Sequence, residues 1–522
     1  MNDRMHTRRQ FLRTAGAVSL AAPASLGFGM QLAAFSSASS QTAAAGYKAL
    51  VCICLAGGND SNNMLLATDS DSWSRYWLAR NTGTSPIALM PVGTPTLRVG
   101  QTSLLTRRQA GNTSPERWGG VLPIGTKTAQ AIPNGTRSSR RSFALHPSLA
   151  PLLPLYQSGR VAMVANVGTL VEPITKAQYL AKSKQTPQRL FSHNDQETTW
   201  QAGDADILRT GWGGRLGDMV ASGNGKNSVF TAVSTSGNAI FLSGRSVMQY
   251  QMSTGASPAV VVDGTDVNNP HRLLNSALVP KQIMEIGQEL GGVALMEGDY
   301  ASIVRRSAAA GSTLNATMRL QAVRNVPAPP PYVNPITGQV ELNSLAVQLQ
   351  AVARMIAAAP TLGLKRQVFH VAMTGHDTHD NQNAFQANNL SKLAHAMAAF
   401  DATLASLGGV DMRSAVTTFT TSEFSRTFNI NGDGTDHAWG GHHMVMGGAV
   451  RGGDIYGQYP TLGVDIGGFN NPDMVQGSMI PTTSVDQYAA TLGSWFGVSN
   501  TDLQTIFPNL NNFSKANLGF LV

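Results

Sequence analysis

The strongest indication of the fold is a continuous apolar run at residues 49–55, ALVCICL, which leads directly into Gly57-Gly58-Asn59-Asp60. A run without polar alternation is typical of a strand that is buried on both faces, as in a parallel sheet covered by helices. The two glycines allow a sharp turn at the carboxyl end of this strand. The sequence therefore predicts a central strand that ends in a polar loop.

Similar segments recur along the chain. Further strands are predicted at residues 161–167, 367–373 and 415–421 and within 226–265, and helices at 146–156, 275–325, 343–359, 384–407 and 485–496. Residues 83–140 are rich in Gly, Thr, Pro and Arg and predict an irregular insertion. Strands that alternate with helices predict an α/β fold with a mainly parallel sheet and helices on both faces.

Composition and charge exclude some classes of protein. With 42% hydrophobic and 13% charged residues, the chain has too much apolar and too little charged content for general disorder. Part of the net charge of +8 lies at Arg137, Arg140 and Arg141, and no aromatic residues interleave with them. We therefore predict a solvated loop there and no nucleic-acid interface. Cys52 and Cys54 point to the same face of one strand, which predicts buried free thiols.

The first residues carry a targeting pattern. Arg8 and Arg9 precede Phe11-Leu12 and a mildly apolar stretch at residues 15–34, which resembles a twin-arginine signal. We predict a signal peptide at residues 1–45, engagement of the twin-arginine translocase, and a periplasmic or secreted location. No later segment reaches about 18 consecutive apolar residues, so no stable membrane span is predicted in the mature chain. An uncleaved membrane anchor is the alternative interpretation.

Polar clusters follow the predicted strands. They lie at residues 57–63, 191–196, 375–380 and 422–443, and all but one directly follow a strand. Functional residues of open α/β sheets gather beyond the carboxyl ends of the strands. Five of the eleven histidines fall within these last two clusters, interleaved with carboxylates. Imidazole and carboxylate together suit a divalent cation such as Zn²⁺, Mn²⁺ or Mg²⁺.

The motifs GGND, FSHNDQETTWQAG, GHDTHDNQ and TSEFSRTFNINGDGTDHAWGGHH, together with the leader, resemble a known family. The chain is similar to the twin-arginine-exported family called domain of unknown function 1501, within the alkaline phosphatase and sulfatase superfamily. The resemblance implies a three-layer α/β/α sandwich with a mainly parallel sheet, alkaline-phosphatase-like, with loop and helical insertions. It implies one domain over residues 46–522, with insertions at about 83–140 and 226–335.

The resemblance also implies a site. One or two divalent ions (Zn²⁺, Mn²⁺, Mg²⁺ or Ca²⁺) would be held by a set of oxygen and nitrogen ligands. These are Asp60, Ser192, Asp377, His379, Glu423, Asp436, His437 and His443. Ser192 is the implied nucleophile, at a helix start that favours an anion. His193 is a candidate acid or base, with an ordinary loop histidine as the alternative. Arg426 is a candidate clamp for the substrate anion, with a structural ion pair as the alternative.

The implied function is an exported metal-dependent hydrolase that acts on a small anionic phosphate or sulfate ester. Two departures from the superfamily pattern leave an alternative open. Glu423 is followed by Phe424, where relatives carry a second ligand, and only one residue separates Asp377 from His379. The alternative is a catalytically degenerate member that serves as a periplasmic binding or accessory protein.

Overall fold

The apolar run at residues 49–55 lies at the centre of a nine-stranded sheet in the computed structural model of the chain. The structure describes residues 46–133, 137–203, 210–255, 295–465 and 469–522, and a few isolated positions between 256 and 294. The strands of the main sheet are β1 Lys48–Leu55, β2 Val161–Gly168, β3 Ala232–Ser234, β4 Tyr250–Gln251, β5 Arg366–Met373, β6 Val416–Thr421, β7 Gly441–Met446, β8 Ile455–Tyr456 and β9 Thr483–Ser484.

The strand order places the ends of the central strands together. Across the sheet the order is β8-β2-β7-β6-β1-β5-β3-β4, and β9 pairs with the end of β2. All pairings are parallel except those of β7, which is antiparallel to both β6 and β2. Since β7 runs in reverse, its beginning lies at the same edge as the carboxyl ends of β1, β5 and β6. The prediction of a mixed α/β fold with a mainly parallel sheet is confirmed.

Helices account for most of the remaining regular structure that is described. They are α1 Ser70–Arg80, α2 Leu153–Gln157, α3 Lys176–Ala181, α4 His193–Ala202, α5 Trp212–Val220, α6 Leu295–Met318, α7 Gln321–Arg324, α8 Ser344–Leu362, α9 Gln382–Leu404, α10 Val485–Phe496 and α11 Asn500–Ile506. Short 3₁₀ segments are Pro115–Arg117, Pro147–Leu152, Ala221–Phe230, Ile240–Leu242, Arg413–Ala415 and Pro508–Asn512. Small antiparallel sheets join Leu65–Ala67, Phe143–Leu145 and Leu122–Ile124, Tyr332–Val333 and Val340–Glu341, and Met474–Val475 and Ser478–Met479.

Two apolar cores cover the two faces of the sheet. Val51 and Ile53 of β1 belong to one core, to which α8 and α9 contribute. Leu50 and Cys52 belong to the other, to which α5 and α10 contribute. Because successive side chains of a strand point to opposite faces, burial on both faces requires an apolar residue at every position. This burial is the physical reason for the continuous apolar run, and it also makes Cys52 and Cys54 buried free thiols, as predicted.

The structure corrects one of the predicted strands. Residues 239–243 alternate like a strand but form the 3₁₀ segment Ile240–Leu242. The backbone N–H of Phe241 donates to Gln201 Oε1 at 2.8 Å, so a side chain takes the hydrogen bond that a neighbouring strand would accept. The strand predicted near residues 259–262, the first part of the helical prediction at 275–325, and the signal peptide at 1–45 lie outside the described residues.

Residues Gly46–Val522 form one compact unit. Among the described helices, α8 is the one that is long and apolar enough to cross a membrane, and 61% of its most apolar window is buried inside the protein. A buried helix of this composition is also what the core of a water-soluble α/β protein contains. Its N-cap Asn343 accepts from the backbone of Ala346, and Gly363 ends it in the left-handed conformation.

Candidate metal centre

Three separate parts of the chain meet at the carboxyl edge of the sheet. Asp377 follows β5, His437 precedes β7, and His193 is the first residue of α4. One ligand atom from each of these side chains lies within 4.8 Å of the other two. We call these three residues the candidate centre. His379 lies beside it, because its Nε2 atom is 3.0 Å from His437 Nε2 and 3.2 Å from Asp377 Oδ1.

Both imidazoles of the candidate centre approach the Asp377 carboxylate closely. His193 Nε2 is 3.4 Å from Asp377 Oδ2, and His437 Nε2 is 3.4 Å from Asp377 Oδ1. Ligand atoms at about 2.0–2.2 Å from a tetrahedral zinc ion lie about 3.3–3.6 Å from one another. Each of the two imidazole nitrogens thus approaches a different oxygen of the Asp377 carboxylate, and the three side chains together offer a cation two nitrogens and a carboxylate, the kinds of ligand that zinc binds.

Hydrogen bonds at the far side of each imidazole orient the rings. His193 Nδ1 is 2.9 Å from Glu423 Oε1, and His437 Nδ1 is 2.7 Å from the carbonyl oxygen of Phe191. Each Nδ1 donates its proton to an oxygen, so each Nε2 keeps a lone pair that faces the candidate centre. This carboxylate–histidine or carbonyl–histidine arrangement is typical of metal-ligating histidines. The Nε2 atom of His193 is buried and has no hydrogen-bond partner. A buried polar atom is normally paired, so a ligand bound at this position would explain it.

The electrostatic environment favours the ligand forms of two of these groups. Burial lowers the pKa of His437, although its hydrogen bond to Phe191 acts in the opposite sense. Burial by itself raises the pKa of Asp377, but the hydrogen bond and positive charge of Arg426 outweigh it and hold that pKa below its usual value. A neutral imidazole and an ionised carboxylate are the forms that bind a cation.

The turn after β1 allows these loops to approach one another. Gly57 and Gly58 have φ of +116° and +80°. A Cβ atom on Gly57 would lie 2.4 Å from the backbone nitrogen of Asp377, and one on Gly58 would lie 2.3 Å from the ring of Phe424. The Phe424 ring in turn packs against His193 and His437, at centroid distances of 4.8 and 4.5 Å. Glycine is thus required by close packing as well as by backbone conformation.

Phe191 has an unusual backbone conformation at the same place. Its φ is +74°, which is rare for a residue with a bulky side chain. Strained backbone of this kind clusters at functional sites, where the surrounding structure holds it. Here the strained residue supplies the carbonyl oxygen that orients His437.

Several of the residues predicted from the sequence lie at or next to the candidate centre. Glu423 orients His193, and Asp436 Oδ1 is 3.4 Å from His379 Nδ1. Arg426 is fully buried and donates to Asp377 and to the carbonyl oxygens of Gly57, Gly58 and Thr435. These contacts position Asp377, and the ion pair of Arg426 is formed with that carboxylate.

Asp60 has a different set of partners. Its carboxylate accepts two hydrogen bonds from Arg80, the closer at 2.5 Å, and both side chains are buried. Gln382 Nε2 also donates to it. The predicted metal ligand is thus the buried counter-ion of Arg80, a residue that the sequence analysis missed. Arg80 ends α1 without any motif around it, so the sequence contains no signal for this pairing.

Among the described residues, Ser192 and His443 contact side chains other than those of the candidate centre. The hydroxyl of Ser192 donates to Asp195 Oδ2 at 2.6 Å, on the first turn of α4. His443 lies within β7 and packs edge-to-face with Trp200, at a ring-centroid distance of 5.4 Å. Burial lowers the pKa of His443 to about 3, so it is a neutral core histidine.

Together, the fold and these residues define a mixed α/β protein with a histidine–aspartate cluster at the carboxyl edge of a mainly parallel sheet. The sequence matches the family described as "Protein of unknown function (DUF1501)" over residues 47–507, and the chain belongs to that family. A search of the curated proteins found no match.

Proposed function

We propose that this protein is an exported, metal-dependent hydrolase of phosphate or sulfate esters, built on an alkaline-phosphatase-like sandwich. The observation that carries the proposal is the buried, unpartnered Nε2 atom of His193, 3.4 Å from the carboxylate of Asp377. The twin-arginine pattern supports export, because that pathway carries folded proteins with their metal in place.

The residues present fit a divalent cation. His193, Asp377 and His437 would hold it, with His379 as a fourth ligand. The cation would supply positive charge that polarises an ester and stabilises the charge that develops on its oxygens. Glu423 and the carbonyl of Phe191 hold the two imidazoles in the tautomer that this needs, and Arg426 holds the carboxylate.

Ser192 is the proposed nucleophile. Its hydroxyl is hydrogen-bonded to Asp195, which Arg189 contacts at 3.2 Å, so the hydroxyl has an oriented proton acceptor. Oγ of Ser192 would bond to phosphorus or sulfur as the bond to the alcohol breaks, with the proton passing through Asp195 to the leaving alcohol. Water would then cleave the serine ester. The role of Arg426 as a clamp for the substrate anion stays a prediction. Its side chain is fully buried, so a substrate would have to displace one of its present partners to reach it.

A binding or accessory protein is the second candidate function. It is supported by Asp60, whose carboxylate pairs with Arg80 and not with the candidate centre. Such a protein would keep one cation site and lack turnover.

The two functions are separated by elemental analysis and a turnover assay on the full chain purified from its export route. We expect one divalent metal per chain, turnover of aryl phosphates or aryl sulfates, and loss of both metal and turnover in His193→Ala. Ser192→Ala should keep its metal and lose at least about a hundredfold in turnover. His395→Ala and Ser183→Ala, which lie outside the candidate centre, are the matched controls.

Each result has a defined meaning. Equal turnover by the wild type and Ser192→Ala would remove Ser192 from the mechanism. A protein that binds metal but cleaves neither class of ester would be the binding protein. A wild-type protein without metal after native export would overturn the hydrolase proposal.

A further inference from the structure

A cavity of about 550 Å³ opens beside the candidate centre. His379, Asp436 and His437 form part of its wall, so a molecule held in the cavity would contact the cluster directly. The volume is in the range of small-molecule sites in proteins. The walls of this cavity therefore indicate what kind of molecule the site receives.

Aromatic rings form one part of the wall. Tyr179, Phe191 and Trp439 line the cavity, and the rings of Tyr179 and Trp439 lie 5.7 Å apart, tilted by 45°. Trp439 is anchored by the hydrogen bond from its Nε1 to the carbonyl oxygen of Thr169 at 2.8 Å. Trp439 is 4% exposed and supports the ring of Tyr179, so the more exposed rings of Tyr179 and Phe191 provide the apolar faces on which a ring-shaped ligand can lie.

Neutral polar side chains form the other part. Asn429, Gln476 and Ser478 line the cavity. Gln476 is exposed at the turn between the strands Met474–Val475 and Ser478–Met479. Amide and hydroxyl groups both donate and accept hydrogen bonds, so this wall suits a ligand with several hydroxyl groups.

The charge of the wall argues against a second anionic group on the ligand. Among the described residues that line the cavity, Asp436 carries the carboxylate and none is lysine or arginine. A further carboxylate or phosphate on the ligand would lie near the Asp436 carboxylate, and the wall itself supplies no lysine or arginine to offset the repulsion.

We propose that the cavity binds the alcohol part of the ester, and that this alcohol is a neutral polyhydroxylated ring such as a sugar. The inference rests on the proposed hydrolase only in placing the ester bond at the candidate centre. Aromatic stacking on one side and hydrogen bonds on the other would orient the ring, with its esterified hydroxyl towards His437.

The test measures binding by calorimetry, using methyl glycosides of common neutral hexoses, the corresponding uronic acids, and phenol as probes. We expect at least one neutral glycoside to bind, and its uronic acid to bind about tenfold more weakly. Tyr179→Ala should weaken glycoside binding about tenfold, and Tyr179→Phe, which keeps the ring, should bind within about twofold of the wild type. Tyr300→Ala, at an exposed tyrosine of α6, is the matched control.

The inference would be overturned if phenol bound while no glycoside did, if no probe bound, or if Tyr179→Ala bound a glycoside like the wild type. Because binding of a neutral glycoside needs no turnover, it can be scored separately from the hydrolase. Glycoside binding without ester cleavage would support the cavity and overturn the hydrolase. Cleavage of aryl esters without glycoside binding would support the hydrolase and overturn the proposed ligand of the cavity.

Discussion

At the level of single residues, the chemistry depends on groups that hydrogen-bond to the far side of each candidate ligand. Glu423 and the carbonyl of Phe191 determine which nitrogen of His193 and of His437 keeps its lone pair. Arg426 supports Asp377, because it holds the carboxylate in place and lowers its pKa. The ligands are thus preorganised, and their supporting residues should matter nearly as much as the ligands themselves.

Glu423→Gln tests this support. Glutamine keeps the oxygen that accepts from His193 Nδ1 but removes the negative charge that makes the imidazole a better ligand. We expect the affinity for Zn²⁺ to fall about 10- to 100-fold, measured by competition with a chromogenic chelator. The free energy of unfolding should change by less than the free energy of Zn²⁺ binding. Glu341→Gln, on a surface hairpin, should leave the affinity unchanged. An unaltered affinity in Glu423→Gln would contradict the proposed orientation.

Asp60→Asn tests whether Asp60 is a counter-ion or a metal ligand. The substitution leaves the buried guanidinium of Arg80 without its carboxylate, so we expect the free energy of unfolding to fall by about 3–5 kcal/mol. The bound metal per chain should stay constant. Asp411→Asn breaks a surface pair with Arg413 and should cost about 0–1 kcal/mol. Loss of metal with little loss of stability would instead make Asp60 a ligand.

At the scale of elements, the turn after β1 decides how closely the loops of three strands can pack. Gly57 contacts the backbone before Asp377, and Gly58 contacts the ring of Phe424. The direction of β7 also brings the loops together. Because β7 is antiparallel to its neighbours, it begins at the edge where β1, β5 and β6 end. His437 reaches the candidate centre for that reason.

Gly58→Ala tests the close packing at this turn. Both Gly58 and Gly100 have positive φ, +80° and +84°, so alanine strains the backbone by about 1–2 kcal/mol at either position. A Cβ atom on Gly100 has no heavy atom within 4 Å, whereas one on Gly58 overlaps Phe424. We expect urea denaturation to show a larger loss of stability in Gly58→Ala than in Gly100→Ala. Equal losses would mean that Phe424 moves aside without cost.

At the scale of the whole molecule, the core contains histidines that must stay neutral. Burial lowers the pKa of His146, His442 and His443 to about 3, and that of His370 to about 4. Unfolded, each would titrate at about 6.5. The unfolded state therefore binds more protons than the folded state between these values.

This difference predicts sensitivity to acid. Stability should be full above about pH 6.5 and fall as the pH drops towards 3, by about 1.4 kcal/mol per pH unit for each buried histidine. Urea denaturation at pH 7.5, 6.5 and 5.5 would measure the slope. His443→Gln should reduce the slope by one histidine's share, whereas His395→Gln, at a less buried position, should reduce it less. A stability that does not change between pH 6.5 and 5.5 would contradict the prediction.

The central parallel strands could be predicted from the amino-acid sequence alone, because strands buried on both faces need unbroken apolar runs such as residues 49–55, whereas the reversed strand β7 was not predicted. The sequence also indicated that polar clusters would meet at one edge, as Asp377 and His437 do. Which members of those clusters meet depends on contacts between distant parts of the folded chain. Asp60 carries the same chemistry as Asp377, but a buried arginine twenty positions away binds its carboxylate, and no local pattern encodes a contact made through folding.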